Sequence, residues 1–180
     1  EAGIMPTQEH LAAIERIAPT LRTLRHSDGG LARFHGGGRG VDGRLDQALS
    51  NSEVKRSNSD GLSMGFARLS GGRTSLIVDA SVPPKGAASF NAHASTLAFE
   101  MTSGRRPLIV NCGSGKVFGE EWRRAGRATQ SHSVLSIDGY SSARFGAGNG
   151  KARKLELLVD TPKHVPVQVS DAPDGVRLQA

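Results

Sequence analysis

The sequence predicts a mainly β protein preceded by a short helical segment. Three observations carry this. Leu11, Ile14, Ile17, Leu21 and Leu24 recur at three- and four-residue steps, the period of one helix face. After Asp28 the apolar runs become short and are divided by turn residues, with 23 glycines in the chain. Several of these runs, such as residues 64–69, alternate apolar and polar side chains as a half-buried strand does.

The helix has a start signal. Thr7 is a good N-cap after Pro6, and Glu9 sits in the first turn, where the macrodipole favours an acid. Pro19 lies inside the pattern and predicts a kink or a split. Arg22, Arg25 and His26 suit the negative pole at the carboxyl end. Expected strands follow at residues 64–69, 75–78, 96–101, 107–111, 133–137, 155–160 and 165–169, with another beginning at Gly175. A turn through Gly104 joins the third to the fourth. Residues 51–60 and 140–151 read as mobile loops. A lone amphipathic helix ahead of seven or more strands makes best sense as the last helix of an upstream helical domain. The expected division is therefore 1–28 for that helix and 29–180 for the β domain. The far terminus stops inside what reads as a strand, so a segment of a longer protein is expected.

With 180 residues the chain can bury one ordinary core, although 37% hydrophobic residues is low. No apolar run reaches the length of a membrane span, and no signal-peptide pattern opens the chain. One cysteine, Cys112, rules out an internal disulfide. A net charge of +6 suits an anionic partner. Nucleic acid, acidic polysaccharide and anionic lipid headgroups all qualify, although aromatics at 4% supply base-stacking platforms poorly, and a solvated basic surface with no particular partner is the commoner reading of a charge of this size.

The glycine-rich stretches lack the surroundings of phosphate cradles. The run from Gly36 to Gly40 precedes no helical pattern. Before Gly115-Lys116 the first P-loop glycine is replaced by Val110, and Val117 stands where Ser or Thr is needed. Turns with positive φ explain these glycines better. There is no G-x-S-x-G elbow, and nothing marks Cys112 as an acidic thiol.

The richest stretch runs from Asn91 to Asp138. His93 opens an apolar run, a second run ends in Asn111-Cys112-Gly113, and His132 heads a third. Three strand ends would bring His93, Asn111 and His132 together. Two imidazoles suit zinc, but an amide oxygen is a poor third ligand, and lone histidines are more often hydrogen-bonded structural residues. Arg124 and Arg127 would share a helical face and present guanidinium forks to carboxylates or sulfates. Glu120 and Glu121 are the alternative partners for this cluster.

The blocks RHSDGGLARFHGGGRG, GFARLSGGRTSLIVDA, AHASTLAFEMTSGRRPLIVNCGSG and EWRRAGRATQSHSVLSIDG, in that order, resemble the carboxyl-terminal domain of the heparinase II/III-like polysaccharide lyases, in particular an uncharacterised branch common in alphaproteobacteria. The resemblance covers essentially the whole chain. It implies an antiparallel β-sandwich preceded by a short helical segment left from an upstream α-toroid. It implies β-elimination on acidic, uronate-containing polysaccharide such as glycosaminoglycan or alginate, in the periplasm or cell envelope. The partners implied are that polysaccharide and the toroid of the same chain. The family's His-x-His-x-Asp signature falls on Asn91, His93 and Ser95, so the catalytic histidine position holds Asn91. The resemblance places a structural zinc at His93, Asn111 and His132, with Asn111 in an aspartate's position. It leaves no catalytic residue assigned, and Asn91, Arg124 and Arg127 as glycan contacts. A non-catalytic glycan-binding or structural module on the same fold is the alternative.

Overall fold

The computed structural model describes residues 5–55, 61–148, 155–173 and 175–180. The amphipathic pattern folds as one helix, α1, Gln8–Leu24. Thr7 caps it, and His10 returns the bond to the Thr7 backbone, closing a capping box. Pro19 lies inside α1, and the helix runs through it rather than splitting. A second helix not foreseen in the sequence, α2, spans Arg44–Asn51. The basic residues past α1 turn to side-chain partners instead of the helix pole. Arg25 pairs with Asp46 on α2 at 2.9 Å, and His26 reaches inward to Glu100.

The main sheet is antiparallel in the order β1 (Phe66–Gly71), β2 (Thr74–Asp79), β3 (Phe99–Ser103), β4 (Arg106–Ile109). Two further antiparallel pairs follow, β5 (Arg144–Ala147) with β6 (Glu156–Asp160), and β7 (Gln168–Ala172) with β8 (Gly175–Gln179). The predicted mainly β class is what the chain adopts.

Some boundaries move for local reasons. The first strand starts at Phe66 rather than residue 64, because Met64 and Gly65 turn with positive φ. The third starts at Phe99, since Leu97 sits at φ 65 and Ala98 N–H closes a turn onto the Ser95 carbonyl. Residues 133–137 form no strand. Leu135 and Ile137 are exposed there, and Ser133 is held by Asn111. The stretch 140–151, read as a loop, contains β5. Residues 51–55 are the end of α2 and a short connection, while 56–60 and 149–154 lie outside the described residues.

The buried face of the main sheet is unusual in its chemistry. Ile77 pairs with Glu100 and Ser75 with Thr102 across β2 and β3, and all four are buried. Ile77 packs with Ala32, Phe34 and Ala98, flanked by Leu24, Phe66 and Val134. A second small core of Ala92, Ala94, Ala143 and Leu158, with Phe145 against it, joins the β5–β6 pair to the segment before β3.

Candidate functional site

A charged side chain buried on a strand must find partners or leave the ionised state. Glu100, fully buried on β3, finds several. His26 Nε2 lies 2.8 Å from Oε2, and the backbone N–H groups of Arg33 and Asn111 each donate to Oε1 at 3.0 Å. Burial pushes its carboxyl pKa up, but the bonds from His26, Asn111 and Arg33 outweigh that and hold it below the ordinary value. The Asn111 side chain continues the path. Its Nδ2 donates toward Glu100 Oε1 at 3.4 Å, and its Oδ1 accepts from His132 Nδ1 at 3.2 Å and from Ser133 N–H at 3.0 Å. His132 Nε2 then meets His93 Nδ1 at 3.1 Å, and the His93 N–H donates to His35 Nδ1 at 3.1 Å. His35 Nε2 ends the chain 2.9 Å from Asp79 Oδ2, a close approach that is poorly aligned as a hydrogen bond. A polar spine thus runs from the end of α1 through β3 to the end of β2.

This network assigns the tautomers. The Asn111 oxygen can only accept, so His132 carries its proton on Nδ1 and offers a lone pair at Nε2. His93 Nδ1–H donates to that lone pair. Burial, with repulsion from neighbouring histidines, lowers the His93 pKa to about 3, and burial lowers that of His132 to about 4. Both rings are therefore neutral at pH 7. Gly36, at φ +75, leaves space for this pair, since a Cβ there would sit 2.9 Å from His93 Nε2. Gly115 is glycine for a different reason than the positive φ expected. Its φ is ordinary, but a Cβ would collide with the Trp122 carbonyl at 2.2 Å.

The three residues expected to converge, His93, Asn111 and His132, do converge, although His93 follows a 3-10 turn (Gly86–Asn91) and His132 heads no strand. Their donor set does not fit zinc as arranged here. Asn111 occupies the Nδ1 side of His132, whereas His93 meets its Nε2 side, so the amide oxygen and the two ligand nitrogens do not face one point. Among the described residues no group of three or more His, Cys, Asp and Glu is placed to hold a metal ion. An amide also suits position 111 better than a carboxylate, because it donates toward Glu100 where an aspartate would repel.

The arginine segment forms a short helix, α3, Glu120–Gly126. Arg124 and Arg127 do share a face, and both reach Glu156 on β6, at 2.7 Å and 3.3 Å, rather than Glu120 or Glu121. They differ in exposure. Arg124 is two-thirds exposed, so a glycan can reach it. Arg127 is 1% exposed, with Nε bonded to the Ala92 carbonyl and Nη2 to the Ser89 carbonyl. A direct glycan contact by Arg127 is corrected by this burial, because its donors are spent on backbone. Arg123, not singled out in the sequence, donates to the Phe90 carbonyl at 2.7 Å and stacks on the Phe90 ring at 4.2 Å. Arg123 and Arg127 together clamp the segment that ends in Asn91, which is exposed. Cys112 is exposed as a residue, but its thiol lies toward the carbonyls of Gly113 and Gly126, and burial raises its pKa, which does not favour a thiolate.

Sequence reasoning missed Glu100, His26 and His35. The available signal was a carboxylate inside the apolar run before the Gly104 turn, where strand alternation aims it at the same face as Ile77.

The chain matches known proteins in fold and sequence. Residues 53–180 match the family described as heparinase II/III-like, C-terminal. FtsZ-localized protein C from Caulobacter vibrioides is 32% identical over 176 residues, 96% of this chain and 30% of that protein. Heparan sulfate lyase HepC from Pedobacter heparinus superposes, in a mutant form, with a TM-score of 0.56 at 17% identity, over 79% of this chain and 28% of that one. A heparinase III gene product with methylated lysines gives 0.57 at 17% identity, over 93% and 29%. These last two similarities show the fold. The chain belongs to the heparinase II/III-like C-terminal family and has its β-sandwich fold. It spans less than a third of the length of the relatives it matches. No helix among the described residues is long and apolar enough to cross a membrane.

Proposed function

We propose that this chain is the glycan-facing sandwich of a longer heparinase II/III-like protein of the bacterial envelope, without a complete β-elimination site of its own. The observation that carries this is the state of the histidine cluster. Proton abstraction beside a uronate carboxylate needs a base that reaches the substrate. Asn91 stands in the exposed position and has no basic nitrogen, while His93 and His132 are buried and committed to each other. Asn91 and Arg124 are the groups offered to a uronate, as an amide donor and a guanidinium. Arg127 holds the wall they stand on. Incubation of the chain with uronate polysaccharides, following absorbance of the unsaturated product, is expected to show no turnover; clear turnover would overturn the proposal.

A second reading, a binding or structural module in a protein that never cleaves glycan, is favoured by the 32% identity to FtsZ-localized protein C over nearly the whole chain. That identity is well above the 17% shared with the lyases. The full-length protein separates the readings. Elimination product from it supports the lyase, whereas glycan binding without product supports the module.

A further inference from the structure

A second polar region lies on the opposite side of His26 from Glu100. Residues of α1, α2, β1 and the β7–β8 pair line an open cavity of about 1250 Å³. Arg22, Arg25 and Arg68 line it together with His26. Arg68 Nη1 donates to the carbonyls of Thr23 and Arg25 at 3.3 and 2.5 Å, which fixes its guanidinium against the end of α1. Arg22 is anchored through Nη2 to the Val54 carbonyl, and Arg25 through Nη2 to Asp46.

These anchors leave two guanidinium donors and one imidazole nitrogen over. Arg22 Nη1, Arg25 Nε and His26 Nδ1 are buried and have no partner among the described residues. His26 itself is only 4% exposed. The same is true of three other side-chain atoms among the described residues, so half of all such orphans belong to residues that line this one cavity. An unpaired buried polar group forfeits its water hydrogen bonds with nothing in return, and more so when charged, so a cluster of them is selected against unless something pairs with it. The carboxylates available, Asp46 and Asp171, are exposed residues of the lining, and Asp46 already holds Arg25. Burial lowers the Arg68 pKa, and the adjacent Arg25 charge adds to that, as unneutralised cations do.

We propose that this cavity binds an oxyanion, a sulfate, phosphate or carboxylate group, between Arg22, Arg25 and Arg68. Planar guanidinium forks match the paired oxygens of such groups. Arg68 presents Nε and Nη2, which bond to no described residue, and a swing of the Arg22 and Arg25 side chains brings their unspent Nη1 and Nε donors, buried as placed, onto the same ligand. His26 Nδ1, opposite the Nε2–H that faces Glu100, accepts from a hydroxyl of the same ligand. The site is separate from the His93–His132 pair and does not depend on the function proposed above.

The test is a titration of the chain with inorganic sulfate, inorganic phosphate and a sulfated uronate disaccharide, at constant ionic strength set with chloride. Arginine Nε–H resonances report binding, and thermal midpoints report it for the variants. Saturable displacement of the Arg25 Nε–H signal is expected, with Kd on the order of millimolar for a free anion. The variant R22Q/R25Q is expected to weaken binding about tenfold or more. R144Q, which removes an exposed arginine whose side-chain partner among the described residues is Asp160, is expected to bind as the parent does. Tighter binding of the disaccharide than of free sulfate assigns the oxyanion to a glycan; equal or weaker binding assigns a small free anion. Should R22Q/R25Q fail to fold, R22K keeps the charge without the fork and is expected to bind more weakly. Sulfate stabilises proteins generally by exclusion from their surface. A non-saturating response, or one equal in parent and R22 variants, would therefore overturn the site.

Discussion

Two polar regions meet at His26 and handle burial in opposite ways. On one side, His26 Nε2 enters the spine through Glu100, Asn111, His132 and His93, where nearly every donor has an acceptor. On the other, Nδ1 joins Arg22 and Arg25 in a cavity where donors outnumber partners. The difference separates scaffold from site. A satisfied network in a low-dielectric interior fixes one geometry and has little left to offer a ligand. An unsatisfied, open, cationic pocket does the reverse. In this molecule His93, Asn111 and His132 are committed to one another and to Glu100, whereas Arg22 Nη1 and Arg25 Nε have no partner among the described residues.

Breaking the spine is expected to have the largest effect. Glu100→Gln removes the buried charge facing His26 and Arg33 and sets an amide NH₂ against a donor. A loss of about 3–5 kcal/mol in urea-unfolding stability is expected, the range for breaking one side of a buried pair. A loss under about 1 kcal/mol would mean that the spine does not hold the fold.

Arg127→Gln is next. It strands the carbonyls of Ala92 and Ser89 and removes the contact over Phe145 at 4.7 Å. A loss of about 2–3 kcal/mol is expected, from two buried acceptors left unpaired. The companion change Arg124→Gln, at an exposed pair, is expected to cost about 0–1 kcal/mol while weakening glycan binding. Equal stability losses in the two variants would remove the distinction drawn between clamp and contact.

Acid sharpens the comparison further. The folded pKa values of His93 and His132 lie below the ordinary 6.5 because both rings are buried. Between those values the unfolded chain binds more protons than the folded one. Stability is therefore full above pH 6.5 and falls as pH drops toward 4. At pH 5 the loss is about 2 kcal/mol per histidine at most. Hydrogen bonds from His26, Asn111 and Arg33 outweigh burial and hold the Glu100 carboxyl below its ordinary value, so its own contribution is lost only at lower pH than that of the histidines. A melting temperature that does not change between pH 7 and pH 5 would show that the pair titrates normally.

Chelation gives the smallest expected effect. With Asn111 behind His132, treatment with a chelator is expected to leave the thermal midpoint unchanged, and elemental analysis to find less than one zinc per chain. Stoichiometric zinc and a midpoint that falls on chelation would restore the metal reading.

Much of the scaffold was written locally. The heptad-like steps of α1, the alternation in β1 and β2, and the Gly104 turn each follow from neighbours in the chain, and the structure reproduces them within a few residues. The convergence of His93, Asn111 and His132 was expected from strand ends, but only Asn111 follows a strand; His93 comes off a 3-10 turn and His132 heads no strand, and side-chain hydrogen bonds draw the three together. What the sequence could not decide was which atoms face each other. Whether Asn111 stands beside the His93 nitrogen or behind the His132 ring depends on ring orientation, which is set by Glu100 and Ser133 from other segments. The same holds for Arg127. Its type and helical spacing promised a ligand contact, and only packing against Ser89, Ala92 and Glu156 turned it inward. Local pattern sets secondary structure through steric and apolar periodicity, whereas burial and pairing are properties of the assembled fold.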